Sequence, residues 1–334
     1  MAEIRFRCPG CQRKLSVEDS HAGRTIPCPA CGAGLVIPNA SVVSVQDDML
    51  QFWGLSFPPF ENLGGEDLFF PASQHTEAIA RANFALQTGK AGVLILGDYG
   101  VGKTFVKNLL VKQFNQDPSL WVEVLDNVLL TPAELLRYLL SRLLTVEAYA
   151  ADMAAGGGES PAALQDRLAA AARDILANQN RRMVLFLDEM QLVQDPVTLE
   201  QIRLLMNLVD SGGRPLFTFM LFGQQSLLRA LERSPSFLQR VSIRWKILPL
   251  SEGQTAEYIR HRLYHAGAKQ DIFTHDAIRC IHEASSGLPR TINNLCDLCM
   301  HFSHLHRSWE VGRDMVEAAA ADVSSAGAVG EVVA

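Results

Sequence analysis

The sequence predicts an α/β fold built on a mainly parallel sheet, with a small cysteine module in front and an all-helical part behind. Three observations carry this. From Phe52 to about Leu250, short apolar, β-branched runs alternate with helix-period segments. From Ser251 onward the pattern is helical throughout. Four of the seven cysteines fall in the first 31 residues, as two C-P-x-C units.

Strands are expected at 91–97, 120–125, 183–187, 215–222 and 242–249, each a short apolar run bounded by Gly, Asp or Pro, as in strands buried on both faces. Helices fill the gaps at 75–88, 103–115, 132–144, 161–178, 196–210 and 225–233. Further helices are expected at 251–266, 274–285, 289–305 and 312–322. Residues 39–51 read as a linker, 152–160 (DMAAGGGES) as a flexible insertion, and 324–334 as a disordered tail. The domain reading is therefore a metal module at 1–38, a core at 52–250 and a helical part at 251–323.

With 334 residues, 48% of them hydrophobic, the chain can bury two globular units and a small module. A net charge of −6 writes no global attraction to nucleic acid or anionic membrane into it. No run of eighteen apolar residues occurs, since Arg137 and Arg142 interrupt the Leu-rich stretch 135–144. The N-terminus has no apolar segment of a secretory signal. Insertion into a membrane is not expected, and a reducing, cytoplasmic setting is, with attachment to the inner membrane only through a partner.

The segment Gly97-Asp98-Tyr99-Gly100-Val101-Gly102-Lys103-Thr104 follows one of the buried runs and opens a helix at Phe105. That is a Walker A phosphate cradle in its structural setting. Glycines let backbone N–H groups close around the β-phosphate, and the helix N-terminus adds its partial positive charge. Lys103 reaches the β- and γ-phosphates, and the Thr104 hydroxyl ligates Mg²⁺. These residues, Gly97 to Phe105, are the candidate ATP contacts.

Downstream, Met183-Val-Leu-Phe-Leu-Asp188-Glu189-Met-Gln191 delivers a carboxylate at a strand end, where a Walker B aspartate holds Mg²⁺. Glu189 stands next to it, placed to polarise the attacking water as general base. Gln224, after the run 215–222, either senses the γ-phosphate or merely closes a strand-to-helix turn. Arg240 is either a finger to ATP in a neighbouring subunit or a solvated surface arginine, and Arg244 competes with it for the first role. Arg290 lies in the first turn of a helix opened by Gly287-Leu-Pro289, where a cation is disfavoured unless an anion such as ATP phosphate is near.

These residues carry a family likeness. From about Gln51 to Val323 the chain resembles the AAA+ ATPases of the general secretion pathway A (ExeA) type, cousins of the TniB and MuB transposition ATPases. The likeness rests on FWGLSFPPF (52–60), GDYGVGKT, LDEMQ, LFGQQSLLRAL (221–231), LQRV and SSGLPRTINNLCDLC (285–299). It implies a three-layer P-loop AAA+ core with a helical lid, ATP between them, and ring-like homo-oligomers. It implies Gln224 as sensor one, Arg290 as sensor two and Arg240 as the trans finger. In the secretion family such an ATPase drives assembly of an outer-membrane secretin through membrane and wall-binding parts. This sequence reads as having neither after the lid, and as adding the cysteine module.

In that module Cys8-x-x-Cys11 and Cys28-x-x-Cys31, sixteen residues apart, have zinc-ribbon spacing. Four thiolates complete a tetrahedral shell, so a structural Zn²⁺ is expected to supply the folding energy of so small a unit. Lys14–Val17 and Arg24–Ile26 read as its short strands. Five basic residues (Arg5, Arg7, Arg13, Lys14, Arg24) against Glu3, Glu18 and Asp19 make no nucleic-acid footprint, and protein docking and nucleic-acid contact both stay open. Cys296 and Cys299, one helical turn apart with His301, His304 and His306 nearby, read as buried small hydrophobes rather than a second metal site.

The functional expectation is ATP hydrolysis driving the assembly or remodelling of a partner complex, of the secretion or pilus kind. A DNA-associated ATPase of the transposition-regulator type and a nucleotide-gated scaffold are the alternatives.

Overall fold

At the front of the chain, short runs alternate polar and apolar side chains, and they pair as hairpins. In the computed structural model, which describes residues 3–8, 11, 13–18, 21, 23–37, 45–62, 68–125, 128–155, 160–193 and 195–329, β1 (Glu3–Arg7) pairs antiparallel with β2 (Lys14–Glu18). Likewise β3 (Thr25–Pro27) pairs with β4 (Gly34–Val36). Leu35, Cys8 and Cys28 form a minimal buried cluster between them, with Leu15 and Ile26 packed against it.

Residues 38–44 lie outside the described part, and the second half of the expected linker is helical: α1 spans Val45–Trp53. Its apolar residues Met49 and Trp53 are buried, which a solvated linker would not allow. The FWGLSFPPF segment that follows is tied down residue by residue. Trp53 Nε1 donates to Met300 O (3.3 Å), Ser56 N to Ala266 O (2.8 Å), and Arg262 Nη1 to Pro59 O (3.0 Å).

Five parallel strands form the central sheet in the order β6-β7-β8-β5-β9. They are β5 (Gly92–Leu96), β6 (Leu120–Leu125), β7 (Arg182–Leu187), β8 (Phe217–Gly223) and β9 (Val241–Lys246). Successive side chains point to opposite faces, so the sheet has two apolar surfaces. Val93, Ile95, Val184, Phe186 and Phe222 face the layer of α2 (Ser73–Gln87) and α3 (Lys103–Asn115). Leu94, Leu185, Leu187, Phe219 and Leu221 face α4 (Pro132–Leu143), α6 (Pro161–Ala172) and α7 (Pro196–Leu205). The result is a three-layer α/β core.

Local chemistry sets the helix starts. Thr131 and Glu134 form a reciprocal capping box at α4, with Pro132 in the first turn. Asp195 accepts the Val197 and Thr198 N–H groups at α7. The stretch read as a flexible insertion is partly regular: α5 runs Val146–Ala155, and 156–159 lie outside the described residues. A π-helical turn, Arg173–Ala177, ends the helix expected over 161–178. Beyond α8 (Gln225–Leu231), a short α9 (Pro235–Arg240) precedes β9.

The last helices are α10 (Glu252–His265), α11 (His275–Ser285), α12 (Pro289–Leu305) and α13 (Arg313–Val329). The tail after Val323, expected to be disordered, continues α13 to Val329, and 330–334 lie outside the described residues. Two compact units result: 65–258 with 281–294, and 1–64 with 259–280 and 295–334. Among the described residues no helix is long and apolar enough to cross a membrane.

Candidate functional site

Parallel strands end together, so their C-terminal tips line one edge of the sheet. Leu96 of β5 stands beside Gly223 of β8, and Leu187 of β7 beside Leu221. That register brings the Walker A loop, Asp188, Glu189 and Gln224 to one edge, the edge where open α/β sheets take ligands.

Lys103 is 6% exposed, and its ammonium folds back onto its own loop, donating to Gly97 O (2.9 Å) and Asp98 O (3.0 Å). Burial pushes its pKa down; Glu189, Asp188 and Asp98 oppose this, and Arg290 adds to it. Gly102, the N-cap of α3, supplies no side-chain cap, so the first N–H groups of that helix are left for an anion. A buried ammonium, an uncapped helix start and the guanidinium of Arg290 nearby are a donor set that fits a polyphosphate.

Asp188 Oδ2 receives the Thr104 hydroxyl at 3.5 Å and the Lys107 ammonium at 2.9 Å. Its Oδ1 accepts the Glu189 N–H at 2.9 Å. The hydroxyl and carboxylate oxygens are the hard donors Mg²⁺ takes, and this pair fits that ion. Glu189 has a left-handed backbone (φ +52°), a conformation that non-glycine residues seldom hold outside a constrained site. Its carboxylate accepts a hydrogen bond from Gln191 Nε2.

Arg290 enters the same edge from α12. Its N–H donates to Gly100 O (3.3 Å), and its guanidinium sits 4.6 Å above the ring of Tyr99, which is 63% exposed. Gly287, just before it, explains part of the G-L-P-R motif. Its φ is +71°, and a Cβ there would come within 2.1 Å of Leu250 O. Only glycine lets the backbone pass, and Leu250 N donates to Gly287 O at 2.8 Å.

Residues 86–231 match a family model described as an AAA domain. Over 279 residues, 82% of this chain, the sequence is 33% identical to general secretion pathway protein A of Aeromonas hydrophila. The chain is an AAA+ protein. It spans 48% of that relative's length. The AAA+ fold also aligns with Drosophila ORC bound to DNA (TM-score 0.59, 15% identity, 89% of this chain and 70% of that one). It aligns too with ORC2 of Aeropyrum pernix in its ADPNP-ADP complexes (TM-score 0.57, 13% identity, 79% and 70%). At such identities the likeness establishes the fold alone.

Within this AAA+ core, Arg240 stands apart from the other candidates. Gly92, the first residue of β5, lies beside Val241, so Arg240 sits at the opposite end of the sheet from the Walker A loop. About 13 Å of strand separates those ends, at 3.3 Å per residue. Its exposed side chain makes no hydrogen bond or ion pair among the described residues. Arg244, by contrast, is tied to its own backbone, donating to Leu238 O (2.7 Å) and Val241 O (3.3 Å). Gln224 occupies the N-cap position of α8 without a side-chain cap bond, and its N–H donates to Gln191 Oε1 at 3.0 Å.

Three further residues at the Walker A edge are given no role by the sequence: Lys107, Gln191 and His75. His75 is buried, and its Nε2 lies 2.8 Å from Val101 O in the Walker A loop. Burial lowers its pKa, so at neutral pH the ring is uncharged and Nε2–H is the donor. Phe105, on the first turn of α3, stacks on Phe69 (5.3 Å between centroids) beside this histidine.

At the front of the chain the four cysteine sulfurs lie within 4.8 Å of one another. Cys8 Sγ is 3.6 Å from Cys31 Sγ, and Cys11 Sγ is 3.7 Å from Cys28 Sγ. These are far too long for disulfides. A tetrahedral ion with bonds of about 2.3 Å sets its sulfurs about 3.8 Å apart, so the cluster fits Zn²⁺. The Ala30 N–H, 3.4 Å from Cys28 Sγ, is the largest of several donors, with the Cys31 N–H and the neighbouring thiols, that together lower the pKa of that thiol to about 6 against the effect of burial. Cys296 and Cys299 are fully buried in α12, and burial raises both thiols.

Proposed function

We propose that this AAA+ protein binds ATP with Mg²⁺, hydrolyses it, and uses the cycle to assemble or remodel a partner complex of the secretion or pilus kind. The observation that carries the reading is the meeting of Thr104 with Asp188, 84 residues apart, beside the buried Lys103 and the strained Glu189.

In this reading the Lys103 ammonium turns from the carbonyls of Gly97 and Asp98 to the β- and γ-phosphates. Thr104 and Asp188 hold Mg²⁺, which draws charge from the phosphate oxygens. Glu189 takes a proton from the attacking water. Arg290 adds positive charge from α12. Arg240 cannot reach the phosphates of its own sheet edge, so it acts as a finger only on a neighbouring copy, which makes a homo-oligomer part of the proposal. Gln224 reports the γ-phosphate through the backbone at the end of β8.

The partner assignment rests on the identity to general secretion pathway protein A. The residues 1–38 form a structural zinc ribbon in this reading and dock the partner, with the core at 52–250, the lid at 251–323 and a cytoplasmic location. Light scattering with a non-hydrolysable ATP analogue tests the assembly. We expect a larger particle with the analogue, none with Lys103→Ala, and a smaller one with Arg240→Ala. A monomer under all conditions contradicts it. ATP-dependent, salt-sensitive DNA binding would transfer the partner role to nucleic acid.

A further inference from the structure

Gln191 stands two residues after Glu189, in a 3-10 turn spanning Met190–Leu192. The left-handed backbone of Glu189 starts that turn and folds the Gln191 side chain back over its carboxylate. The other end of the same amide reaches β8: Oε1 accepts the Gln224 N–H at 3.0 Å. Its two neighbours fix which way the amide points. A carboxylate demands a donor and an N–H demands an acceptor, so the flipped amide would lose both bonds. Among side chains of this length only glutamine meets both demands. Gly223 leaves the space, since a Cβ there would come within 3.2 Å of Gln191 Oε1 and 2.6 Å of Leu227 Cδ2.

We propose that Gln191 is a positioning residue, a strut that fixes the Glu189 carboxylate relative to the backbone at Gln224. The inference rests on the reading of Glu189 as general base. One carboxylate oxygen is held by the amide, which leaves the other to take the proton from water. Because the strut ends on the N–H that follows β8, any shift of Gln224 toward a γ-phosphate is passed to the base.

The test compares wild type with Gln191→Met, Gln191→Glu and Glu189→Gln, measuring phosphate release and binding of a fluorescent ATP analogue. Gln191→Met keeps the length and loses both bonds. It is expected to bind the analogue within about twofold of wild type and to turn over roughly ten- to a hundredfold more slowly. Gln191→Glu keeps the acceptor for Gln224 but loses the donor to Glu189, and is expected to lose turnover to a similar extent while still binding the analogue. A wild-type kcat in either Gln191 variant, or a loss of affinity matching the loss of turnover, overturns the strut. Normal turnover in Glu189→Gln overturns the base assignment itself, whereas an inactive Glu189→Gln beside a normal Gln191→Met overturns the strut alone.

Discussion

Lys107 Nζ lies 2.9 Å from Asp188 Oδ2, on the oxygen that also receives Thr104. The pair is mostly buried, with 12% and 15% of the side chains exposed. A cation of the chain itself thus shares the carboxylate assigned to Mg²⁺. With Lys107→Met, Asp188 loses its cationic partner and keeps only the Thr104 hydroxyl and the Glu189 N–H. The metal-free protein should lose about 2 kcal/mol, and the Mg²⁺ concentration for half-maximal nucleotide binding should fall several-fold. Thermal melting without metal and a Mg²⁺ titration of fluorescent nucleotide binding check the two halves. An unchanged titration would remove Lys107 from the metal's balance.

Gly287 should tolerate no side chain. Gly287→Ala forces a Cβ against Leu250 O and a non-glycine residue into positive φ. A loss of about 2–4 kcal/mol is expected, with weakened nucleotide binding because Arg290 is displaced from Gly100 and Tyr99. Denaturant melts and nucleotide affinity measure both. Equal stability and affinity would show that the turn relaxes freely.

His75 makes stability depend on pH. Burial holds its folded pKa below the ordinary 6.5, so the unfolded chain binds the proton first. Its contribution is fully present above pH 6.5 and is lost as the pH falls toward the folded value. Tm should drop between pH 7 and 5, and His75→Gln, which keeps a donor for Val101 O, should flatten that drop. A slope unchanged by the substitution would place the titration elsewhere.

The cysteine cluster should hold one zinc per chain. Cys8→Ser or Cys28→Ser should lower the metal content measured by elemental analysis, while the sheet unit keeps its nucleotide affinity. Zinc content unaffected by both changes would rule out the four-thiolate site.

Much of this was legible in the sequence because it is local. Apolar runs gave all five strands of the sheet, and glycine spacing placed the Walker A loop between β5 and α3. Asp188 and Glu189 were legible because a buried strand ends on them. The helix α1 was not, because what fixes it lies far along the chain: Trp53 is buried and donates to Met300 O. Helix α5 was hidden by the glycine run after it. Lys107, Gln191 and His75 hold ordinary helix or turn positions in the sequence, and each has a partner far away in it: Asp188, Gln224 and Val101, at 81, 33 and 26 residues. Arg240 and Arg244 look alike in sequence, and only the bonds of Arg244 to its own backbone separate them.

In the proposed reaction Glu189 activates water for hydrolysis of ATP held by Lys103, Thr104 and Asp188. Single-turnover phosphate release, measured with ATP binding on the same samples, tests it most directly. Glu189→Gln should bind ATP as wild type does and release phosphate at least about a hundredfold more slowly, while Lys103→Ala should not bind. Phosphate release by Glu189→Gln at the wild-type rate would contradict the account.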